Sequence, residues 1–492
     1  MPLTDTSATL EGQKIDSNTQ RFLQEAAAAK FDFHSVSVQA AGDEKLKRAV
    51  NNAVLRQHTA RQLRVLELPD SDKLRDLAGQ IKQHALDHLD YYLEQFSANV
   101  KKNGGHVYFA SDGAEARSII LDIARNVHAS RVIKSKSMVS EEINLAQVLE
   151  QAGLDVVETD LGEFIVQISH DKPSHLVAPI VHKDRASIAR LFSEYFGTPY
   201  NDDPKALTMQ ARAFLRDKFR TADLGMTGGN FLVADSGLLC CIENEGNQRQ
   251  SVTTPRVLVS LVGIEKIVPR MIDLAVMLKL LTRSATGAPI SIYTNIFGGP
   301  RGPGEKDGPE EFHLVLIDNG RSEILASEYR ETLRCIRCGA CLNACPIYRK
   351  IGGHAYGSVY PGPIGALITP LFQGLEKFKD LPQASSLCGA CYEACPVKIN
   401  IPKHLINMRR DIVRKHLNKW WERLLFRLWA WAYKCPRRYR LISWVQRLDL
   451  RARADDGDWI HDLPDIAAGW TQIRDMPAPA EKSFRQLWEE RA

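Results

Sequence analysis

The first hundred residues carry apolar side chains at the spacing of helices. Between residues 71 and 100, leucine and isoleucine recur every three or four positions, which predicts a helix with one apolar face. Residues 43–66 contain neither Gly nor Pro and are rich in alanine and charged side chains, which also favours a helix. We therefore predict a helical N-terminal region over residues 1–64 that leads into a second domain.

From residue 106 onward, short apolar runs alternate with helical periodicity. The runs HVYFAS, RVIKSKS, LDVVETD and EFIVQIS are predicted strands, as are four later runs rich in β-branched or aromatic residues. Helices are predicted over residues 112–126 and 141–152. Strands that alternate with helices are typical of a mainly parallel sheet covered by helices. We predict one α/β domain over residues 65–320.

Composition sets only broad limits. The chain has 492 residues, 44% of them hydrophobic and 25% charged, which is ordinary for a globular protein of two to four domains. No stretch approaches the roughly 18 to 20 uncharged residues that a membrane-spanning helix needs. The first residues lack a basic start followed by an apolar core, so a secretory signal is not expected. The expected setting is a reducing cytoplasm.

Cysteine, tryptophan and positive charge are concentrated late in the chain. Seven of the ten cysteines lie within residues 335–395, and all eight tryptophans lie within residues 420–488. Residues 404–453 include 14 basic and 3 acidic side chains. These shifts predict a cysteine-rich domain over residues 325–410 and a basic, tryptophan-rich C-terminal region over residues 411–492.

The seven cysteines form two related motifs. The first motif, Cys-x-x-Cys-x-x-Cys-x-x-x-Cys-Pro, has the spacing of bacterial ferredoxins that bind [4Fe–4S] clusters. The second motif lacks its first cysteine, and Ser385 stands at that position. The 42 residues between the motifs are too many for a compact β ferredoxin, so an all-α helical ferredoxin domain is predicted. The cysteines of the two motifs are Cys335, Cys338, Cys341 and Cys345, then Cys388, Cys391 and Cys395.

Exchange of the fourth cysteine between motifs predicts the ligands of two clusters. One [4Fe–4S] cluster would be held by Cys335, Cys338, Cys341 and Cys395. The second would be held by Cys345, Cys388 and Cys391. It is either a [4Fe–4S] cluster with three Cys ligands, whose last iron binds water, Ser385 or a partner's group, or a [3Fe–4S] cluster. Zinc sites take four ligands each, so seven cysteines with two Cys-Pro endings fit zinc poorly, and disulfides conflict with a reducing cytoplasm.

These motifs and their flanking sequence resemble a known family. The runs ETLRCIRCGACLNACPIYRK and SLCGACYEACPVKINIP, with KSKSMVSEEINLAQ and GMTGGNFLVADSG upstream, are similar to the LutB-type iron–sulfur subunit of the bacterial L-lactate utilisation system. The resemblance covers roughly residues 45–410. It implies a LUD domain related in fold to the sugar-phosphate isomerase and CoA-transferase group. It also implies two partners, a cysteine-rich LutA-type subunit and a LutC-type subunit, which together with this chain oxidise L-lactate to pyruvate.

Two loops of the α/β domain are candidates for an anion site. Lys134 and Ser137 lie at the end of a predicted strand, and Asn230 follows a pair of glycines. Ligands of open α/β sheets bind at the carboxyl ends of strands, so we predict that these three residues hold a carboxylate or a phosphate. Solvated lysines and ordinary turn glycines are the alternative. The chain lacks a Gly-x-Gly-x-x-Gly run after a strand and a Walker loop, so no nicotinamide or flavin site is indicated.

The basic C-terminal region mixes tryptophan with arginine, as in LNKWWERLLFRLWAWAYK. Three interpretations stay open: packing on the chain's own ferredoxin domain, docking to a partner subunit, and contact with a membrane surface. The chain shows no nucleic-acid-binding module, so no nucleic acid partner is expected. The expected location is the cytoplasm, with possible peripheral contact at the inner face of the membrane.

The pattern as a whole favours an electron-transfer subunit of an L-lactate-oxidising complex. Electrons from the substrate would pass through the two clusters toward an acceptor, so the chain is expected to be a subunit of an L-lactate dehydrogenase complex rather than a catalyst alone. Two alternatives stay open. One is the iron–sulfur subunit of another hydroxy-acid or glycerol-phosphate dehydrogenase, and the other is a metabolite-binding regulator that carries clusters as sensors.

Overall fold

The structure is a computed structural model that describes residues 31–464, 467–472 and 474–491. It divides into two compact units, one that ends at Ile412 and one that begins at Val413. Of the predicted helical N-terminal region, the first 30 residues lie outside the described residues. The predicted domain boundaries within the first unit stay predictions.

Among the described residues, four helices precede the first strand of the larger unit. Asp43 caps the second of them, because its carboxylate accepts hydrogen bonds from the backbone N–H groups of Lys45 and Leu46, both at 2.9 Å. The single helix predicted over residues 71–100 is two helices, since the backbone leaves helical geometry at His88. The four helices are α1 (Phe33–Gly42), α2 (Glu44–Leu66), α3 (Ser71–Asp87) and α4 (Leu89–Lys102).

The α/β domain contains a six-stranded and a four-stranded sheet. Its ten strands are β1 (His106–Ala110), β2 (Arg131–Lys134), β3 (Asp155–Glu158), β4 (Leu224–Thr227), β5 (Phe231–Val233), β6 (Leu238–Glu243), β7 (Val257–Gly263), β8 (Ile267–Val268), β9 (Tyr293–Phe297) and β10 (Glu311–Ile317). The larger sheet is parallel throughout, in the order β1-β10-β7-β4-β2-β3. The smaller sheet, β8-β5-β6-β9, is mixed. The predicted parallel sheet is confirmed, and its carboxyl ends meet at one edge.

Eight helices connect these strands. One of them corrects a prediction, because the run EFIVQIS is helical rather than extended. Its aromatic and β-branched residues favour a strand, but Leu161, Phe164, Ile165 and Ile168 lie at the i, i+3, i+4 and i+7 spacing of one helix face. Asp160 caps the helix through the N–H groups of Gly162 and Glu163. The helices are α5 (Gly113–Asn126), α6 (Met138–Glu142), α7 (Leu145–Gln151), α8 (Leu161–Ile168), α9 (Arg185–Phe196), α10 (Pro204–Arg220), α11 (Asn247–Thr253) and α12 (Met271–Ala285).

The cysteine-rich segment consists of short helices. Residues 325–410 are all described and contain no strand, which confirms the prediction of an all-α ferredoxin domain. Its α-helices, with one that leads into it, are α13 (Arg321–Leu325), α14 (Ala340–Ala344), α15 (Tyr348–Ile351), α16 (Gly362–Gln373), α17 (Ala390–Ala394) and α18 (Ile401–Arg414). Four 3₁₀ turns, at Ile264–Lys266, Arg330–Arg334, His354–Tyr356 and Leu381–Gln383, complete the larger unit.

The N-terminal helices and the cysteine-rich segment share one hydrophobic core. Val50 and Val54 of α2 are fully buried in the same cluster of side chains as Cys341 and Tyr348. Arg75 of α3 donates hydrogen bonds to the backbone carbonyls of two residues in the second cysteine motif. The helices that open the chain therefore form one wall around the cysteines.

The second unit is helical with one short hairpin. It contains α19 (Trp420–Tyr433), α20 (Pro436–Ala452), α21 (Ala468–Thr471) and α22 (Phe484–Glu489), with β11 (Trp459–Ile460) antiparallel to β12 (Met476–Pro477). All eight tryptophans are exposed. Arg438 lies over the ring of Trp431, with 4.3 Å between the guanidinium carbon and the ring centroid. No helix among the described residues is long and apolar enough to cross a membrane.

Candidate iron–sulfur centres and an adjoining cavity

Four cysteines from both motifs surround one small cavity, which we call the first cysteine group. The group brings the last cysteine of the second motif to three cysteines of the first motif. Burial raises the pKa of the Cys338 thiol to about 12 and that of the Cys395 thiol to about 11. The four members are Cys335, Cys338, Cys341 and Cys395.

The three remaining motif cysteines, Cys345, Cys388 and Cys391, form the second cysteine group. Burial is the main cause that raises the pKa of Cys391 to about 12, and the neighbouring thiols of Cys345 and Cys388 raise it further. Cys345 and Cys391 are buried, whereas Cys388 is exposed. This is the arrangement that an exchange of the fourth cysteine between the motifs would give.

The two motifs repeat the same backbone geometry. Arg337 and Leu387, each directly before the cysteine that opens the helical turn, have positive φ of 60° and 55°. Gly339 and Gly389 then begin α14 and α17 at φ of 76° and 85°, a conformation that costs glycine little. Because α14 and α17 also pack against each other, the repeated turns aim the cysteines of both motifs into one small region.

Ser385 takes the place of a motif cysteine in this repeat. In the first motif the backbone N–H of Arg337 donates to the Sγ of Cys335 over 3.4 Å. In the second motif the backbone N–H of Leu387 donates to the Oγ of Ser385 over 3.1 Å. The same local bond is made by a thiol in one motif and a hydroxyl in the other. Ser385 therefore occupies the structural position of the missing fourth thiol.

The surroundings of the thiols fit iron–sulfur clusters. The Tyr356 hydroxyl is fully buried and has no hydrogen-bond partner among the described residues, yet it interacts electrostatically with Cys345 and Cys391. Such an orphaned donor needs an acceptor, which a cluster sulfide would supply. Backbone N–H groups already reach the Sγ atoms of Cys345 and Cys395, at 3.5 and 3.3 Å. Hydrogen bonds of this kind set the reduction potentials of clusters.

Positive charge is concentrated around the first cysteine group. A [4Fe–4S] cluster with four thiolates carries net negative charge, so nearby cations favour its assembly and its reduction. Five cationic side chains interact electrostatically with these thiols: Arg61, Arg75, Lys82, Lys266 and Arg337. The cationic residue with a comparable interaction in the second group is Arg349, with Cys345.

A cavity of about 290 Å³ lies at the carboxyl edge of the parallel sheet and reaches the first cysteine group. Ser137 and Asn230, two of the predicted anion-site residues, line this cavity together with Lys136 and Cys338. The pair of glycines before Asn230 is explained by crowding. A Cβ on Gly228 would lie 2.9 Å from the Ser137 Oγ.

Lys134, the third predicted anion-site residue, does not reach the cavity. Its ammonium is buried and makes ion pairs with Glu141 at 2.8 Å and with Glu158 at 2.6 Å. The two carboxylates already balance its charge, so we correct the prediction and replace Lys134 by Lys136 among the lining residues. The position at the end of β2 was predicted, but the enclosing acids were not.

The cavity residues missed by sequence reasoning include three with unpartnered polar groups: Lys266, Thr282 and Arg337. The one available signal was a charged pair inside the apolar run VLVSLVGIEKIV, which places Lys266 just beyond the carboxyl end of β7. Arg337 lies between two motif cysteines, and nothing in the motif spacing indicates that its side chain lines a cavity.

Comparison with known protein families agrees with this architecture. The LUD domain family matches residues 93–317, a 4Fe-4S dicluster domain matches residues 331–399, and the family described as lactate utilisation protein B, C-terminal, matches residues 410–492. The lactate utilization protein B of Bacillus licheniformis is 46% identical to this chain over 91% of the chain and 94% of its own length. The chain belongs to the lactate utilisation protein B family.

Other relatives lead to the same family. The lactate utilization protein B of Bacillus subtilis is 45% identical over 92% of this chain and 95% of its own length. An Escherichia coli protein named as an uncharacterized electron transport protein, YkgF, is 44% identical over 93% of this chain and 96% of its own length. The predicted resemblance is confirmed, and the matched 4Fe-4S domain contains all seven motif cysteines. The relation in fold to sugar-phosphate isomerases stays a prediction.

Proposed function

We propose that this chain is the iron–sulfur electron-transfer subunit of a system that oxidises L-lactate to pyruvate. The observation that carries the proposal is the pair of cysteine groups inside one core. The first group borders the cavity of the α/β domain, and the second reaches the surface at Cys388. Electrons can thus pass from the interior toward an external acceptor. The names of the relatives favour lactate over another hydroxy acid or glycerol phosphate, and they do not favour a regulator.

The two cysteine groups support a proposal for cluster type. Cys335, Cys338, Cys341 and Cys395 would hold a complete [4Fe–4S] cluster. Cys345, Cys388 and Cys391 would hold a second [4Fe–4S] cluster with three thiolates, and Ser385 stands at the fourth position. Because a hydroxyl is a weaker ligand than a thiolate, the fourth iron of that cluster is expected to leave on mild oxidation, which yields a [3Fe–4S] form.

Ser385→Cys should stop this loss of iron. After mild oxidation with ferricyanide, the wild type is expected to show the EPR signal of a [3Fe–4S] cluster, and Ser385→Cys should show little of it because a fourth thiolate retains the iron. Ser118→Cys is the matched control, since it adds a thiol on α5, outside both cysteine motifs, and should behave as the wild type. Equal [3Fe–4S] signals in wild type and Ser385→Cys would show that Ser385 is not at the fourth position.

The proposed partners are a LutA-type and a LutC-type subunit. Electron transfer to another subunit requires an exposed cluster edge, and Cys388 provides one. The exposed tryptophans and the basic side chains of the second unit offer a surface for a partner subunit or for the anionic face of a membrane. On this proposal the chain works at the cytoplasmic side.

Growth of a deletion strain tests the proposed function. A strain that lacks this gene should fail to grow on L-lactate and should grow normally on glycolate and on glycerol, and the wild-type gene should restore growth on L-lactate. The purified, anaerobically reconstituted protein should contain iron and acid-labile sulfide. A protein that contains zinc without sulfide, or a deletion strain that grows normally on L-lactate, would exclude the proposal.

A further inference from the structure

The cavity beside the first cysteine group contains hydrogen-bond donors without acceptors. Lys266 is only 6% exposed and lines the cavity, yet its ammonium makes no hydrogen bond and no ion pair within the described part of the chain. Arg337 and Thr282 line the same cavity, and the Nη1 of Arg337 and the Oγ1 of Thr282 are buried and have no hydrogen-bond partner among the described residues. Three buried polar groups that lack partners at one place indicate a missing acceptor.

The acidic residues of the cavity are not that acceptor, because within the described part of the chain their hydrogen bonds go to other groups. Glu243 accepts hydrogen bonds from the backbone N–H groups of Gly246 and Arg249, at 2.6 and 3.0 Å. Glu245 accepts from the backbone of Leu161 at 3.0 Å. Asp160 caps α8. Lys136 has a partner, unlike Lys266, because its ammonium makes an ion pair with Glu163 at 3.0 Å.

Buried positive charge exceeds buried negative charge only on the side of the cavity near the first cysteine group, because the acids of the lining lie elsewhere: Glu245 interacts electrostatically with Asp160, Glu243 and Lys136. Four buried cations, Lys82, Lys266, Arg321 and Arg337, face two buried carboxylates, Glu142 and Glu265. Arg321 pairs with both carboxylates, and Lys82 donates to the backbone carbonyls of Glu265 and Ile267. Arg337 reaches Glu265 only at 3.6 Å, and its guanidinium stacks on Tyr360. A cluster at the first cysteine group would offset part of this charge, because Lys266 and Arg337 both interact electrostatically with Cys335.

We propose that this cavity binds a small organic oxyanion, a carboxylate or a phosphate, whose oxygens accept hydrogen bonds from Lys266, Arg337 and Thr282. A guanidinium and an ammonium are the groups that proteins use most for such anions. The cavity volume of about 290 Å³ suits a small metabolite. Its wall includes the exposed Ile290, which places an opening to solvent there.

The anion would lie against the wall that contains Cys338, one of the ligands proposed for the first cluster. A negative charge beside a cluster disfavours its reduction, so the bound anion lowers the reduction potential of that cluster. The site itself does not depend on the proposed function. Its assignment to carboxylates of the lactate class rests on the proposed function. If the cavity binds phosphate instead, the site stands without that assignment.

Anaerobic binding measurements on the full-length, reconstituted protein test the site. We expect L-lactate or pyruvate to bind and to shift the midpoint potential of one cluster, monitored by EPR, to a more negative value. The uncharged analogue lactamide should neither bind nor shift that potential. Inorganic phosphate is the second arm. If phosphate binds and the carboxylates do not, the site takes phosphorylated ligands, and the assignment to lactate-class acids is overturned.

Lys266→Gln should weaken binding of the effective anion about tenfold or more, because it removes a charged hydrogen bond from a buried site. Lys218→Gln is the matched control. It removes a lysine that pairs with Asp155 at the first residue of β3, at the opposite edge of the sheet. Iron and sulfide are measured in both variants, and binding is expressed per cluster, so that a loss of binding is distinguished from a loss of clusters.

The outcomes separate this inference from the proposed function. If no probe binds, or if Lys266→Gln binds as tightly as the wild type while its clusters are intact, the site is disproved and the cations serve the cluster alone. That result would leave the growth test of the proposed function standing. If the anions bind but the deletion strain grows on L-lactate, the proposed function fails and the site stands.

Discussion

Cys341→Ala is expected to abolish the first cluster and to remove about half of the iron that the protein binds. Cys341 is buried in the core that α2, α14 and α15 share, so the same substitution should also destabilise the fold. The free energy of metal binding is part of the free energy of folding in such sites, and we expect a loss on the order of 5 kcal/mol in the free energy of unfolding. Iron analysis and anaerobic urea unfolding measure both effects.

Cys240→Ala provides the matched control for this experiment. Cys240 is a cysteine of β6 that is fully buried and belongs to no motif. Its replacement should leave the iron content unchanged and cost about 1 kcal/mol, because only a small buried side chain is shortened. If Cys341→Ala retained all of its iron, the ligand assignment for the first cysteine group would be wrong.

Arg321→Met should cost about 3 to 5 kcal/mol of stability at neutral pH, because it leaves two buried carboxylates without their partner. Arg321 is fully buried, donates to both oxygens of Glu142 at 3.0 Å, and donates to Glu265 at 2.6 Å. Tyr360 also donates to Glu142, at 2.6 Å, so this network joins the α/β domain to the cysteine-rich segment. Urea unfolding of the reconstituted protein measures the loss.

The pH dependence of the Arg321→Met deficit checks its electrostatic origin. Burial alone would raise the pKa of Glu265, but Arg321 and its neighbouring cations hold that pKa at about 2. Without Arg321 the pKa values of both carboxyls rise, so protons can neutralise them as the pH falls. The deficit should therefore narrow between pH 7 and pH 5. Arg125→Met, which removes an exposed ion pair with Asp122, should cost less than about 1 kcal/mol at either pH. A constant deficit would point to lost packing instead.

Local patterns predicted those parts of the fold whose causes are local. The alternation of strands and helices predicted the parallel sheet, because the periodicity of each strand and each helix is visible within its own segment. The spacing of the cysteines predicted short turns that aim thiols at a common point, and Arg337 and Gly339 adopt the backbone needed for them. The run EFIVQIS was predicted wrongly. Its β-branched and aromatic residues favour a strand, whereas the apolar spacing over residues 161–168 and the cap at Asp160 identify a helix.

The candidate site was predicted less completely, because its parts come from distant segments. Lys134 and Lys136 are two residues apart and look alike in sequence, but two acids enclose the first, whereas the second lines the cavity. Lys266 lies far along the chain from both, and nothing local shows that it lacks a partner. Which charge is balanced depends on contacts across the sheet, and a single sequence does not display those contacts.

The shared core also constrains how the protein is made. Val50 and Val54 leave the ribosome long before the cysteines that they cover. Arg61 and Arg75 find their carbonyl acceptors at Glu393 and Cys395 only when residues near 395 have emerged. The helices α2 and α3 also pack on α12, and Lys82 of α3 bonds to Glu265 and Ile267, all of which are synthesised before the cysteines. These two helices can therefore dock on the α/β domain first, and the cysteine-rich segment then completes its core against a surface that earlier residues supply.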